Sequence, residues 1–253
     1  MFPSWPRYSA GARASRSVTS GDDSNARTSV VVNRIRDWSL KRARVNVAIG
    51  EAMARAIGAN AVVRHNWAAA DLSLLPKHDS RFVVGYSGNL GRAHEFETML
   101  AAARALPEVQ FAITGGGAQL ERVRAGAPPN VIFRDYAPRE RLNESLASAD
   151  VHLVSLLPSL EGLIVPSKFY GVLAVARPVL FVGAADGSLA RIIRENDCGF
   201  VIQQGDGDGL VRRIRELAND RGRARAMGLR GRRLYEEQFA PQIGLAAWER
   251  ILT

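Results

Sequence analysis

A chain of 253 residues, 47% of them hydrophobic and with a net charge of +9, has material for one large domain plus a fragment of another. It contains no run of eighteen apolar residues, which argues against a transmembrane helix, and its single cysteine, Cys198, excludes an internal disulfide and a cysteine-built metal site. The basic balance is almost all arginine; it is compatible with nucleic acid, an anionic membrane or a phosphorylated substrate, and does not choose among them.

Residues 1–36 form the first segment, Ser- and Arg-rich at its start, without helical or strand periodicity, and are expected to be disordered or derived from truncation. Residues 37–76 read as the last β-α step of a preceding unit and a linker. A helix around Trp38 runs into the short strand V-N-V-A-I, whose sheet partners are expected outside the chain. A small helix Glu51–Ile57, an apolar piece Ala61–Val63 and a loop through His65-Asn66-Trp67 to Pro76 follow.

Residues 77–240 alternate regularly. Apolar, β-rich runs predict strands at Phe82–Ser87, Val109–Thr114, Val131–Arg134, Val151–Leu157, Val179–Val182 and Phe200–Ile202. Helical patterns fall between them at Glu95–Leu106, Gln119–Ala125, Arg139–Ala149, Ser167–Ala176 and Leu189–Asn196. Helices at Gly209–Asn219, Arg223–Gln238 and from about Pro241 close the chain, residues 241–253 being a final crossing helix. This alternation predicts an α/β fold, a Rossmann-like parallel sheet with helices on both faces, and ligands beyond the carboxyl ends of the strands.

The loops that follow strands are therefore the candidates for chemistry. Gly88 and Gly91 would let the backbone approach a ligand, with Asn89, Arg92 and His94 in reach of phosphate or sugar hydroxyls. The spacing is GxxGxxG, so the dinucleotide fingerprint is absent. Gly115-Gly116-Gly117 is a second close-approach loop, and Tyr136 in the third could stack on a flat base. The stretch from Leu160 to Val182 holds one acid, Glu161, then Pro166 and Ser167 as a helix start, with Ser167 able to cap free N–H groups, and Lys168 on the first turn. A loop ending at a helix N-terminus beside a lysine suits a phosphate; an ordinary strand–loop–helix with a solvated lysine reads equally well. His65, His78, His94 and His152 lack metal-ligand spacing.

Taken together, Y-S-G-N-L-G-R-A-H, F-A-I-T-G-G-G, A-D-V-H-L-V-S-L and V-P-S-K-F-Y-G-V-L-A-V-A-R-P-V-L-F-V-G resemble the C-terminal half of GT-B glycosyltransferases. The group most similar is the family-4 set of retaining enzymes that build bacterial surface polysaccharides, and the likeness spans about Ala43–Thr253. The resemblance implies a donor domain for a UDP-sugar, with no further cofactor or metal. Gly88, Asn89, Gly91 and Arg92 would hold the diphosphate, joined by Ser167 and Lys168. Gly116 would belong to the same nucleotide-binding set, Tyr136 would face the uracil, and Glu161 would contact the donor sugar as the first acid of an E-x7-E pair. The second acid falls at Phe169, so the usual ribose contact is missing or supplied elsewhere. Catalytic roles fall to Glu161, Lys168 and Arg92.

The implied reaction is transfer of a hexosyl or N-acetylhexosaminyl group to a lipid-linked or polysaccharide acceptor. The setting would be the cytoplasm, peripherally at the inner face of the plasma membrane, without a nucleic-acid partner. Such enzymes close two domains around their substrates, so a chain with only the end of the first is expected to be inactive alone. The alternative is a non-catalytic donor-binding or interaction subunit that docks onto a separate acceptor-domain protein.

Overall fold

The computed structural model describes residues 23–58, 60–68, 72–77 and 81–253. Its first element is helix α1 (Asp23–Arg42). Residues 1–22 of the segment expected to be disordered lie outside the described residues, but 23–36 are helical, which corrects that expectation. Val31, Ile35 and Trp38 recur at i, i+4 and i+7, a helical period that the Ser- and Arg-rich start obscures. Strand β1 (Asn46–Ala48), helix α2 (Glu51–Ile57) and strand β2 (Ala61–Val63) follow, and β1 pairs in parallel with β2, Val47 opposite Val62. The short strand thus finds a sheet partner within the chain.

The main sheet has six parallel strands: β3 (Val83–Ser87), β4 (Gln110–Thr114), β5 (Val131–Arg134), β6 (Val151–Ser155), β7 (Val179–Val182) and β8 (Gly199–Ile202). The helices that alternate with them are α3 (Glu97–Ala105), α4 (Leu120–Gly126), α5 (Leu142–Ala147), α6 (Lys168–Ala174) and α7 (Ser188–Glu195). Helices α8 (Gly207–Asn219), α9 (Arg221–Leu234) and α10 (Pro241–Leu252) complete the chain. The strand order is β5-β4-β3-β6-β7-β8. Sheets of this order are buried on both faces, which is why their strands read as unbroken apolar runs. Along β7, Leu180 and Val182 join one core with α3 and α8, while Val179 and Phe181 join the other with α6 and α7. Each fully buried side chain such as Phe111, Phe169 or Phe181 contributes on the order of 1.5–3 kcal/mol.

Helix starts deviate from the apolar pattern for local reasons. The Asp206 carboxylate accepts from Gly209 N and Asp220 from Arg223 N, both at 2.8 Å, so α8 and α9 begin two residues earlier than hydrophobicity suggests. Helix α9 ends in a π-helical turn, Tyr235–Phe239. That turn points Phe239 inward, edge-on to Tyr170 and His65 at ring separations of 5.0 and 5.1 Å.

The linker is fastened to the base of the sheet. Arg177 Nη2 donates to Leu75 O and Arg232 Nη1 to Leu72 O, each at 2.9 Å, and Lys77 pairs with Asp150 at 2.6 Å. Helix α10 returns to the N-terminal piece: Arg44 donates to Ile251 O at 3.1 Å, and a Cβ at Gly244 would meet Trp67 at 2.3 Å. Among the described residues no helix is long and apolar enough to cross a membrane.

The consequence for function is the point where the topology reverses. The chain leaves β3 toward β4 and leaves β6 toward β7, on opposite sides, although β3 and β6 are neighbours. A crevice therefore opens beyond their carboxyl ends, where open α/β sheets bind ligands.

Candidate functional site

Three post-strand turns meet at that crevice. Gly88, after β3, has φ of +124°, and its N–H donates to Thr114 O at 2.9 Å. Gly115, after β4, has φ of +132°, and a Cβ there would lie 2.2 Å from Gly88 O. Only glycine allows both the left-handed backbone and this approach. Leu90 N donates to Gly116 O at 2.7 Å, and Gln119 Nε2 spans Gly91 O and His94 O at 2.8 and 3.0 Å. Asn89 packs between Gly91 and Gly117, its Oδ1 2.2 Å from where a Cβ at Gly117 would sit. Tyr136, after β5, is 58% exposed, its hydroxyl donates to Gly116 O at 3.2 Å, and its ring lies against the backbone of Gly115 and Gly116.

Lys168 enters from the other side of the crevice, at the start of α6. Its Nζ lies 4.0 Å from the centroid of the Tyr86 ring and donates to the Tyr86 hydroxyl at 2.5 Å. A Cβ at Gly88 would meet the Lys168 Cε at 3.4 Å, so the side chain lies along that turn. Among the described residues no carboxylate pairs with this ammonium. Burial pushes its pKa down to about 7.

Tyr86 is 2% exposed, and burial, with Tyr136 adding a little, raises its pKa so that it stays a phenol. Its hydroxyl donates to Asn89 O at 2.9 Å. His94 Nδ1 lies 2.6 Å from Ser155 O at the end of β6, so the proton sits on Nδ1 and Nε2 keeps a lone pair. Burial first, then the Lys168 charge, lowers the His94 pKa, partly offset by that hydrogen bond. Ser155 Oγ is buried beside it without a hydrogen bond among the described residues.

The structure thus brings together Gly88, Asn89, Gly91, Gly116, Tyr136 and Lys168. Arg92 is exposed and lines a neighbouring cavity of about 650 Å³ with His94, Gln119 and Arg122. Glu161 lines a different cavity of about 230 Å³, between Gly50-Glu51, His65, Tyr170 and Arg191. Its Oε1 accepts from Ser188 N at 2.8 Å and its carboxylate presses on Gly187, so it caps the start of α7. Ser167 does not cap α6, which corrects the expectation. Its φ and ψ of −62° and −25° are already helical, its hydroxyl makes no cap hydrogen bond, and the side chain is exposed. Phe169, at the position of the missing acid, is fully buried, edge-on to Tyr170 and Phe239, and offers no polar group.

Sequence reasoning passed over Tyr86, whose only signal is a polar-tipped aromatic inside an aliphatic strand. Among the described residues no group of three or more His, Cys, Asp or Glu side chains is placed to hold a metal ion.

The pattern of the family described as "Glycosyl transferases group 1" matches residues 81–220, more than half of the chain. A probable glycosyltransferase, WbjE of Pseudomonas aeruginosa, is 32% identical over 149 residues, covering 56% of this chain and 37% of that protein. The fold is similar to that of a TarM mutant of S. aureus solved with Fondaparinux, alpha-GlcNAc-glycerol and UDP, at 16% identity and TM-score 0.70. That match covers 87% of this chain and 45% of TarM. It is also similar to Anabaena HepE in complex with UDP and glucose, at 17% identity and TM-score 0.71, covering 91% of this chain and 67% of HepE. The chain spans little more than a third of the curated relative and under half of TarM. The sheet, its reversal point and the match over residues 81–220 place the chain in the glycosyl transferases group 1 family, with the architecture of the C-terminal half of a GT-B glycosyltransferase.

Proposed function

We propose that this chain carries the donor site of a glycosyltransferase that moves a hexosyl or N-acetylhexosaminyl group from a UDP-sugar to a lipid-linked or polysaccharide acceptor, with retention of configuration. The observation that carries the reading is the half-buried Lys168 ammonium, held against the Gly88 turn at the reversal point of the sheet without a carboxylate partner among the described residues. A desolvated cation of this kind suits a diphosphate, whose departing charge it stabilises as the glycosidic bond breaks toward an oxocarbenium-like centre.

In this reading Gly88, Asn89 and Gly91 form the phosphate cradle, and the exposed Arg92 and Ser167 side chains extend it. The exposed face of Tyr136, over Gly116, stacks on the uracil ring. The free Glu161 oxygen, in the cavity shared with Glu51, meets the donor sugar. Residues 37–76 are then the end of an acceptor domain and α10 the helix that joins the two halves, so turnover requires the acceptor-binding half.

Calorimetric titration of the chain with UDP, against ADP and GDP, tests the proposal, repeated on Lys168→Ala and Arg92→Ala. Saturable UDP-selective binding is expected. Lys168→Ala should weaken it by about 10- to 100-fold, the range of a lost charge-assisted hydrogen bond of ~1.5–3 kcal/mol. Equal binding of the three nucleotides would refute the base assignment, and no binding would refute the donor site.

A further inference from the structure

A lysine that receives an anion is ordinarily kept in place by an acid, which holds the ammonium between ligands and competes with the anion for it. Lys168 has no such acid among the described residues. Its place is taken by Tyr86, 82 positions away in sequence. The ammonium sits at the hydroxyl end of the ring, 4.0 Å from its centroid, and the hydroxyl accepts its proton, an arrangement in which the oxygen lone pair holds the cation without neutralising it. The same hydroxyl has one proton to give and gives it to Asn89 O, in the turn that ends the first strand of the main sheet. That donation fixes the lone pair toward Lys168. The ring itself is wedged edge-on between His94 at 6.2 Å and Phe96 at 5.2 Å and has no room to swing.

We propose that Tyr86 is the positioning residue of this site, tying the Lys168 ammonium to the Gly88–Asn89 turn in place of an acid, so that diphosphate binding is coupled to the ionisation of Lys168. The inference rests on the donor-site reading above and adds to it a residue that touches no substrate. The titratable groups around the ammonium are Tyr86 itself, His94 from the following turn, and Tyr136 from across Gly116, which acts on Tyr86. Neither Tyr86, whose phenol burial keeps protonated, nor His94 carries a negative charge at neutral pH. Burial alone leaves the free site partly deprotonated near neutrality, and an arriving diphosphate supplies the missing counter-charge and draws a proton in.

The test is UDP titrated calorimetrically at pH 8.0, where its own terminal phosphate is already ionised, in two buffers of different ionisation heat. The wild-type chain should take up close to one proton per UDP bound, and Lys168→Met should take up none. Tyr86→Phe keeps the ring and loses the hydroxyl, and should weaken UDP about ten-fold; Tyr86→Leu should weaken it further. In a Lys168→Met background, Tyr86→Phe should change affinity less than about two-fold, because Tyr86 acts through the lysine. Circular dichroism and a thermal melt show that each variant folds; should the Tyr86 variants fail, wild-type proton uptake still decides the coupling.

If Lys168→Met leaves UDP affinity unchanged, the donor-site reading falls. If Lys168→Met weakens UDP but proton uptake is absent, or Tyr86→Phe binds like the wild type, or Tyr86→Phe costs as much without Lys168 as with it, this inference falls and the donor site stands.

Discussion

His152 makes the fold sensitive to acid in a way that can be isolated from every other group. It lies in β6, is 2% exposed, and its Nε2 donates to Leu146 O at 2.7 Å. Its Nδ1 has no partner among the described residues, and the ring packs so close to Gly85 that a Cβ there would lie 2.8 Å away. Protonating Nδ1 would bury a charge and an unpaired N–H at once. Burial, opposed by the Leu146 hydrogen bond and reinforced by the Arg177 charge, takes the pKa down to about 4 from 6.5. Between those values the unfolded chain binds the proton and the folded one does not, so stability rises with pH across the window. It is complete above pH 6.5 and lost as pH falls toward 4. At ~1.4 kcal/mol per pH unit the loss is about 3 kcal/mol. Urea denaturation followed by circular dichroism at pH steps from 7 to 4 measures it. His152→Gln, whose amide can still donate to Leu146 O, should lack this component while keeping the carboxylate contribution common to both proteins. Parallel pH profiles for the wild type and His152→Gln would refute the reasoning.

The same linkage runs through Lys168, whose folded pKa is depressed to about 7 from 10.5. The unfolded chain binds the extra proton between those values, so the Lys168 contribution to stability rises with pH from 7 to 10.5; in the same urea titrations the stability of the wild type relative to Lys168→Met should rise over that range, the opposing contributions of the buried Cys198 and tyrosines being common to both proteins. Gly115→Ala drives a Cβ into Gly88 O at a backbone angle alanine avoids; a loss of about 1–3 kcal/mol and at least ten-fold weaker UDP binding are expected, and a variant with wild-type melting and binding would contradict the turn geometry. Glu161→Ala removes the acceptor of Ser188 N and should cost about 1 kcal/mol in urea denaturation by uncapping α7, whereas an unchanged midpoint would deny the cap any weight.

Much of the fold was legible one segment at a time because the periodicities are local. A strand buried on both faces must be apolar throughout, and Val179–Val182, buried at every position, lies where its run predicts; the edge strand Val131–Arg134, which ends in an exposed arginine, also lies where its run predicts. The glycines of the post-strand turns were visible for the same reason, since a left-handed backbone needs glycine wherever it occurs. Which glycine does what was not. Gly115 and Gly117 carry the positive φ angles and the close approaches, while Gly116 supplies a carbonyl to Leu90 and Tyr136.

What only the tertiary structure decided are contacts between distant segments. Tyr86 meets Lys168 because β3 and β6 are neighbours and the chain beyond β6 returns to the end of β3. Glu161 caps a helix 27 residues downstream, so its role depends on where α7 comes to rest, and Ser167, a good cap by residue type, makes no cap hydrogen bond because the backbone there is already helical. Sequence by itself determined the alternation of elements and hence the crevice, since burial and backbone conformation act residue by residue. Which side chains confront one another across that crevice was decided by the sheet order, a property of the whole chain.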